Sequence, residues 1–208
     1  MATLTFEPAA HAYAVDGRPI LSVTAILKRV GLVDLSRIPI EALEQKRAIG
    51  QAVHEATHYW DQDDLVPGSV DPVVEPYLHA YRTFRAERGF TPHYLETRVH
   101  HPRYHYAGTF DRLGLIASPS GACTAVLLDI KTGDPDLACA NLQTAGYLEA
   151  YLQAPLPLPD VRTIDRWSVQ LRSDGTYRLR TYTDVRDRAV FLAAVQLANY
   201  MTFGAHQR

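Results

Sequence analysis

The distribution of apolar residues predicts two neighbouring strands near the middle of the chain. Residues 125–130 are apolar except for one acid, as expected of a central strand that is covered on both faces. A second strand-like run covers residues 108–116. The segment between the runs, Ser118-Pro119-Ser120-Gly121, consists of residues that favour a chain reversal. We therefore expect two strands joined by a turn.

Helical spacing of apolar residues is found on both sides of these strands. One apolar stripe predicts a helix from about Ile40 to Trp60, and Ser22 is suited to cap a short helix that ends at Gly31. An N-terminal hairpin is predicted with Asp16-Gly17 as its turn. Further helices are predicted over about 71–89, 137–153 and 184–203, and further strands over 94–99, 167–171 and 177–182.

This order of elements predicts an α/β (α+β) fold. Its core reads αβββαβ, with a central mixed sheet flanked by helices, an N-terminal hairpin and a C-terminal helix. No Gly-rich phosphate loop follows a strand, which argues against a doubly wound nucleotide-binding fold. We expect a single domain over residues 1–208, with its core at about 40–171, a hairpin and helix at 1–39, and a strand and helix at 172–208.

Charged residues interrupt the predicted strands where burial makes ionisation costly. Asp111 lies among apolar residues, and Asp129 and Lys131 end the next strand. Because side chains alternate along a strand, Asp129 and Lys131 project from one face. Buried charges persist when they pair or hold a metal. If the two strands pair, both acids converge on one cation beside an ammonium, an arrangement suited to cleaving phosphodiesters.

Other polar residues have two interpretations each. His54 lies one helical turn after Gly50, beside the apolar stripe; alone it fits a partly buried histidine, but the downstream acids favour an additional metal ligand. Glu96, in the strand over 94–99, is a further candidate ligand or an outward-facing glutamate. The acidic segment Asp61–Gly68 lacks the glycine and distal glutamate of a calcium loop, so we expect solvated surface.

Four motifs in this order resemble the PD-(D/E)XK nuclease superfamily, in particular its RecB-type and phage exonuclease-like branch. Gly108-Thr109-Phe110-Asp111 is similar to the setting of the first acid, and Asp129-Ile130-Lys131 to the (D/E)XK element. The segment 50–55 resembles the upstream G-x-x-x-H helix motif, and the segment 143–147 the downstream Q-x-x-x-Y helix motif. The segment 21–27 looks like the start of phage members, so the resemblance spans roughly residues 20–171.

The resemblance implies a restriction-endonuclease-like fold with a metal site. Its ligands would be Asp111, Asp129, His54 and the backbone carbonyl of Ile130, around Mg²⁺ or Mn²⁺, with Glu96 as a second-tier ligand.

Three further residues would then complete the chemistry. Lys131 would stabilise phosphate charge and hold or help deprotonate the attacking water; the metal and low exposure are expected to lower its pKa. Gln143 and Tyr147 would orient Lys131 or the scissile phosphate.

A metal-dependent DNA nuclease is the leading functional hypothesis. An exonuclease in recombination, repair or end processing is preferred on the resemblance; alternatives are a structure-specific endonuclease and a catalytically silent or helicase-dependent DNA-binding module. Expected partners are DNA and a recombinase, single-strand-binding protein or helicase, in the cytoplasm of a bacterium or a phage-infected host, away from any membrane.

Composition limits these hypotheses only weakly. The formal net charge of −2 does not indicate a nucleic-acid binder, although bound cations would restore positive charge where phosphate lies. The chain has 2 cysteines, too few for a four-cysteine iron–sulfur cluster within it. The basic and aromatic segment 100–106 is either a DNA contact or an ordinary exposed turn. Candidate DNA contacts are His101, Arg103, Tyr104 and Arg112.

Overall fold

The computed structural model describes residues 3–34, 36, 38–117, 123–154, 156–157 and 163–203. The predicted turn Ser118–Gly121 lies outside these residues. The described helices are α1 (Val23–Arg29), α2 (Ile40–Asp61), α3 (Glu75–Arg88), α4 (Ala140–Tyr151) and α5 (Arg186–Phe203). The described strands are β1 (Leu4–Glu7), β2 (Ala12–Val15), β3 (Arg18–Ser22), β4 (Phe90–His101), β5 (Tyr106–Ala117), β6 (Cys123–Lys131), β7 (Ile164–Leu171) and β8 (Tyr177–Tyr182).

The strands form one eight-stranded mixed sheet. Its path runs β1-β2-β3-β5-β6-β7-β8, and β4 pairs with the opposite edge of β5. The β3–β5 and β6–β7 pairs are parallel, and the other neighbours are antiparallel. The order α2, β4, β5, β6, α4, β7 confirms the predicted αβββαβ core, with α3 inserted after α2. Strand β1 was not predicted and extends the N-terminal hairpin.

Two strands share one edge of β5. The strand β3 pairs with Tyr106 and Ala107, and β6 pairs with β5 from Arg112 onward. Among the described strands, residues 108–111 have no partner on this edge. Asp111 and Asp129 are the next pair of opposite positions beyond Arg112 and Leu128, the last backbone pair between β5 and β6. The two predicted acids therefore lie opposite each other where β6 leaves the edge of β5.

Apolar clusters cover both faces of the sheet. Leu127 packs with residues of α1, α4 and α5, whereas Val126 and Leu128 pack with residues of α2 and α3. Helix α4 is buried on most sides. It is shorter than the predicted helix over 137–153, and Leu152, just beyond its end, is 60% exposed. None of the described helices is long and apolar enough to cross a membrane.

Candidate metal centre

Three potential metal ligands converge from three elements. His54 of α2, Glu96 of β4 and Asp111 of β5 place their ligand atoms within 4.8 Å of one another. The Nδ1 atom of His54 lies 3.6 Å from Glu96 Oε1 and 3.6 Å from Asp111 Oδ1. The structure thus brings together two predicted ligands with Glu96, which the sequence analysis left as a second-tier candidate.

Glu96 has a left-handed backbone in the middle of a long strand. Its φ angle is 42°, in a region that a residue other than glycine adopts at a cost of roughly 1–3 kcal/mol. The flanking pairs Leu95–Arg112 and Thr97–Phe110 keep their register, so Glu96 lies opposite Asp111. Strain at this position is consistent with a functional demand on where the carboxylate points.

The side chain of Asp111 takes the place of a backbone hydrogen-bond acceptor at the edge of the sheet. Its Oδ2 accepts a hydrogen bond from the backbone N–H of Ile130 at 2.6 Å, just beyond the last backbone pair between β5 and β6. This contact orients the carboxylate and leaves Oδ1 facing His54. Burial raises the pKa of Asp111 to about 6, an effect that His54 opposes and that Asp129 and Glu96 reinforce.

In the other two candidate ligands, burial and the neighbouring charges shift the pKa in opposite directions. Burial by itself lowers the pKa of the His54 imidazole, but Asp111 and Glu96 outweigh burial and hold that pKa above its ordinary value. Burial by itself raises the pKa of Glu96, but His54 and Arg112 hold it below its ordinary value. The three groups therefore share charge in a confined space.

Asp129 and Lys131 lie side by side in the same pocket, as the strand alternation predicted. Lys131 Nζ donates a hydrogen bond of 3.0 Å to Asp129 Oδ1, and Asp129 is 2% exposed. Burial lowers the pKa of Lys131, but Asp129 and Asp111 outweigh it and raise that pKa above its ordinary value. Low exposure therefore acts on this pKa in the expected direction but is outweighed by the acids, and the lowering expected from a bound cation stays a prediction.

The donor atoms fit a hard divalent cation. Carboxylate oxygens with one imidazole nitrogen are compatible with Mg²⁺ and better suited to Mn²⁺. Among the residues that the structure describes, the buried atoms Asp129 Oδ2 and Gln143 Oε1 have no hydrogen-bond partner. Lys131 Nζ lies 2.9 Å from Asp129 Oδ2, but without the alignment of a hydrogen bond. A buried acceptor of this kind is costly unless a cation or water satisfies it. The Ile130 carbonyl remains a predicted ligand.

Gln143 and Tyr147 of α4 line this pocket, whose volume is about 390 Å³. The Tyr147 ring lies against Gly108, where a Cβ would be 2.6 Å from Tyr147 Cε1. The glycine of the first acidic motif thus makes room for the tyrosine of the helix motif. Burial, with the neighbouring acids Asp129 and Asp111, raises the Tyr147 pKa well above its ordinary value, so its hydroxyl stays protonated.

Arg112 is wholly buried behind the metal ligands, so the prediction that it contacts DNA is wrong. Its guanidinium donates to Asp61 Oδ2 at 2.6 Å and to Glu96 Oε1 at 2.9 Å, and Arg85 binds the other oxygen of Asp61 at 2.5 Å. The side chain of Asp61 is 0% exposed, so the prediction that it belongs to a solvated loop is also wrong. This buried network fixes Glu96 from behind.

The predicted DNA contacts near the β4–β5 connection lie outside the pocket. His101 is 3% exposed and its Nε2 lies 3.7 Å from Glu149 Oε1, so it is not available to DNA. Arg103 is exposed, with its guanidinium 5.7 Å from the ring centre of Tyr104. A DNA contact at Arg103 and Tyr104 stays a prediction.

Several pocket residues were not predicted as site residues. Two of them, Gln51 and Thr109, lie within the quoted motif segments 50–55 and 108–111, so their neighbourhood to His54 and Asp111 was an available signal. The others come from elements distant in sequence, where only the fold brings them to the site. The full set is Phe6, His11, Thr24, Gln51, Arg98 and Thr109.

Comparisons with known proteins add a distant structural likeness. No protein-family model matches the chain, and no curated protein matches its sequence. Among solved structures, the chain is similar to that in the crystal structure of LHK-Exo in complex with dAMP, with a TM-score of 0.34 and 12% sequence identity. The alignment covers 89% of this chain and 93% of that chain. At this distance the likeness establishes neither a shared family nor a shared activity.

Proposed function

We propose that this protein is a divalent-metal-dependent DNA nuclease. The observation that carries the proposal is one pocket containing His54, Glu96 and Asp111 at ligand distances, with Asp129 and Lys131 beside them. Such a set combines hard oxygen donors with a cationic side chain, and phosphodiester hydrolysis requires both. We also propose that residues 1–208 form a single nuclease domain.

Four side chains are proposed to hold Mg²⁺ or Mn²⁺: His54, Glu96, Asp111 and Asp129, with the Ile130 carbonyl as a further donor. A cation bound there would neutralise phosphate charge and lower the pKa of a coordinated water. The hydrogen bond from Ile130 N–H keeps Asp111 in place before any cation arrives, so the site is largely preorganised.

Lys131 is proposed to stabilise charge on the phosphate. Because neighbouring carboxylates raise its pKa, the ammonium is protonated at neutral pH. It therefore supplies positive charge and a hydrogen-bond donor. The alternative role, deprotonating water, would require a lower pKa and hence the loss of its pairing with Asp129.

Gln143 and Tyr147 are proposed to orient the phosphate and Lys131. The Tyr147 hydroxyl is a permanent donor, and the unpartnered Gln143 Oε1 is a permanent acceptor facing the pocket. Together they can fix a substrate oxygen and a water proton.

The finer function is proposed from the sequence resemblance. It favours an exonuclease in recombination, repair or DNA end processing, acting with a recombinase, single-strand-binding protein or helicase. A structure-specific endonuclease differs from it in one observable respect, because only the endonuclease cuts a closed circle.

The test is to incubate the purified protein with end-labelled linear DNA and with closed circular DNA, in Mg²⁺, Mn²⁺ or EDTA. Lys131→Ala, purified identically, is the control for contaminating nucleases. Loss of the linear species alone, abolished by EDTA and by the substitution, is the expected result.

Other outcomes separate the alternatives. Cutting of the circle by the parent protein and not by Lys131→Ala would replace the exonuclease with an endonuclease. Binding without cleavage in every metal would overturn the stand-alone nuclease in favour of a silent or partner-dependent module.

A further inference from the structure

One wall at the mouth of the pocket is basic and aromatic, whereas the base of the pocket is acidic. Phe6 of β1 and His11 of the turn before β2 line this mouth together with Arg98 of β4. We infer that this wall, formed by Phe6, His11 and Arg98, binds an unpaired nucleotide next to the phosphodiester at the metal site. The inference rests on the proposed function, because it identifies which form of nucleic acid the same pocket accepts.

The three side chains form one cluster around Phe6, with Arg98 over the Phe6 ring and His11 perpendicular to it. The Arg98 guanidinium carbon lies 4.7 Å from the Phe6 ring centre, and the His11 and Phe6 ring centres are 5.2 Å apart at 89°. Phe6 is half-buried, whereas His11 and Arg98 are exposed. Phe6 is thus the support, and the other two side chains are the surfaces available to a ligand.

The wall is anchored to the strands that carry the acids. Tyr13 of β2 forms a hydrogen bond of 2.7 Å with Thr109 of β5, and the Tyr13 ring lies 4.7 Å from that of Phe6. Thr109 is in turn the β5 partner of Arg98. These contacts hold the wall at a fixed distance from Asp111, two residues along β5.

Each exposed group matches one part of a nucleotide. None of the described carboxylates pairs with Arg98, so its planar guanidinium is available for a phosphate. Partial desolvation by its neighbours and the nearby Lys28 lower the pKa of His11, so its ring is neutral at neutral pH, and the exposed part of the ring offers a face for base stacking. A base can stack there only when it is free of its own duplex neighbours.

The backbone of His11 permits a matched pair of substitutions. Its φ angle is 47°, which asparagine tolerates. His11→Asn therefore removes the ring with little backbone strain, and His11→Tyr keeps a ring. Arg98→Gln removes the charge, and Arg98→Lys keeps it. Arg178→Gln and His93→Asn are control substitutions at exposed positions outside the pocket.

Binding is measured by fluorescence anisotropy with two probes: a labelled dT 12-mer and a labelled 12-mer of abasic sites, which keeps the phosphates and lacks the bases. All variants carry Lys131→Ala and are titrated in Mg²⁺ at several salt concentrations. His11→Asn should weaken binding of the dT probe about tenfold, as expected for one stacked base, and leave the abasic probe unchanged. His11→Tyr should restore the difference between the probes.

Arg98→Gln should weaken both probes and reduce the slope of log Kd against log salt by about 0.7, the value of one phosphate contact on a single strand. Arg98→Lys should keep most of that slope. Mn²⁺ affinity, measured by calorimetry, should be unchanged in every wall variant, and the two control substitutions should affect neither probe.

Each contrary result has a definite meaning. Equal loss of both probes in His11→Asn, no loss in either wall variant, or a fall in Mn²⁺ affinity would overturn the inference. Absence of oligonucleotide binding by the Lys131→Ala parent would overturn it as well. If the protein with native Lys131 cleaves no DNA but the probes respond as expected, the inference about the wall is supported and the proposed nuclease function is overturned. If that protein cleaves DNA but the probes do not respond, the nuclease function is supported and the inference about the wall is overturned.

Discussion

The ring of Tyr147 lies directly against Gly108, at a distance that leaves no room for a Cβ atom. Substituting Gly108 by Ala should displace the ring and lower DNA cleavage by about 10²-fold, since small misplacements at a reacting centre have effects of this size. Overpacking should also reduce the free energy of unfolding by about 1–3 kcal/mol.

Gly133→Ala is the matched control, because a Cβ there meets open space. Equal losses of cleavage in both variants would contradict the role of the Tyr147 contact.

Binding of Mn²⁺ should raise the melting temperature. A cation that binds only the folded protein stabilises it by about 2.7 kcal/mol at a concentration of one hundred times its Kd. We expect the shift in differential scanning fluorimetry to disappear in Asp111→Ala and to shrink in Glu96→Gln. Asp64→Asn, an exposed carboxylate outside the pocket, is the control. A full shift in Asp111→Ala would place the cation elsewhere.

Loss of Arg112 should be costly because the buried carboxylate of Asp61 and the half-buried carboxylate of Glu96 both depend on it. Arg112→Met leaves Asp61 and Glu96 without their common partner, so we expect a loss of about 3–5 kcal/mol in the free energy of unfolding. Chemical denaturation measures this loss. The exposed pair of Arg186 and Asp184 provides the control, and Arg186→Met should change stability little.

Arg112 should also act on the metal through Glu96. If Arg112→Lys still folds, its Mn²⁺ affinity should fall about 10–100-fold, because a lysine does not reproduce the fork that positions Glu96. Unchanged affinity in a folded Arg112→Lys would mean that the network stabilises the fold alone.

Substitution of Lys131 should separate catalysis from metal binding. Lys131→Met should lower the rate of cleavage by about 10²–10³-fold, the usual effect of removing one group that stabilises transition-state charge. Its Mn²⁺ affinity should stay equal or rise, since the substitution removes a positive charge that pairs with Asp129. Calorimetry on the purified variant gives the affinity, and a large fall would assign Lys131 a structural role instead.

The parts of the site that could be predicted from sequence are those set by local patterns. An acid among apolar strand residues and a D-x-K at a strand end mark Asp111, Asp129 and Lys131, and strand alternation fixes that the last two share a face. The helix periodicity places Gly50 and His54 on one side of α2. The predicted core order of elements followed from the same periodicities.

The remaining parts depend on contacts between distant positions. Arg112 and Asp61 are 51 residues apart, and each alone is typical of an exposed charge, so neither pattern predicts that they neutralise each other inside the protein. The placement of Glu96 depends on a left-handed backbone that no residue type indicates. The wall is formed by β1, its following turn and β4, which only the sheet brings together.

The split edge of β5 has a consequence for how the proposed active site operates. Because β3 and β6 pair with different parts of one edge of β5, the base of the pocket is set by strand register and by the hydrogen bond between Asp111 and Ile130. Widening it would require breaking bonds of the sheet, whereas a cleft between domains opens about a hinge. We therefore expect a rigid, permanently open active site, in which selectivity comes from what can enter and not from closure around the substrate.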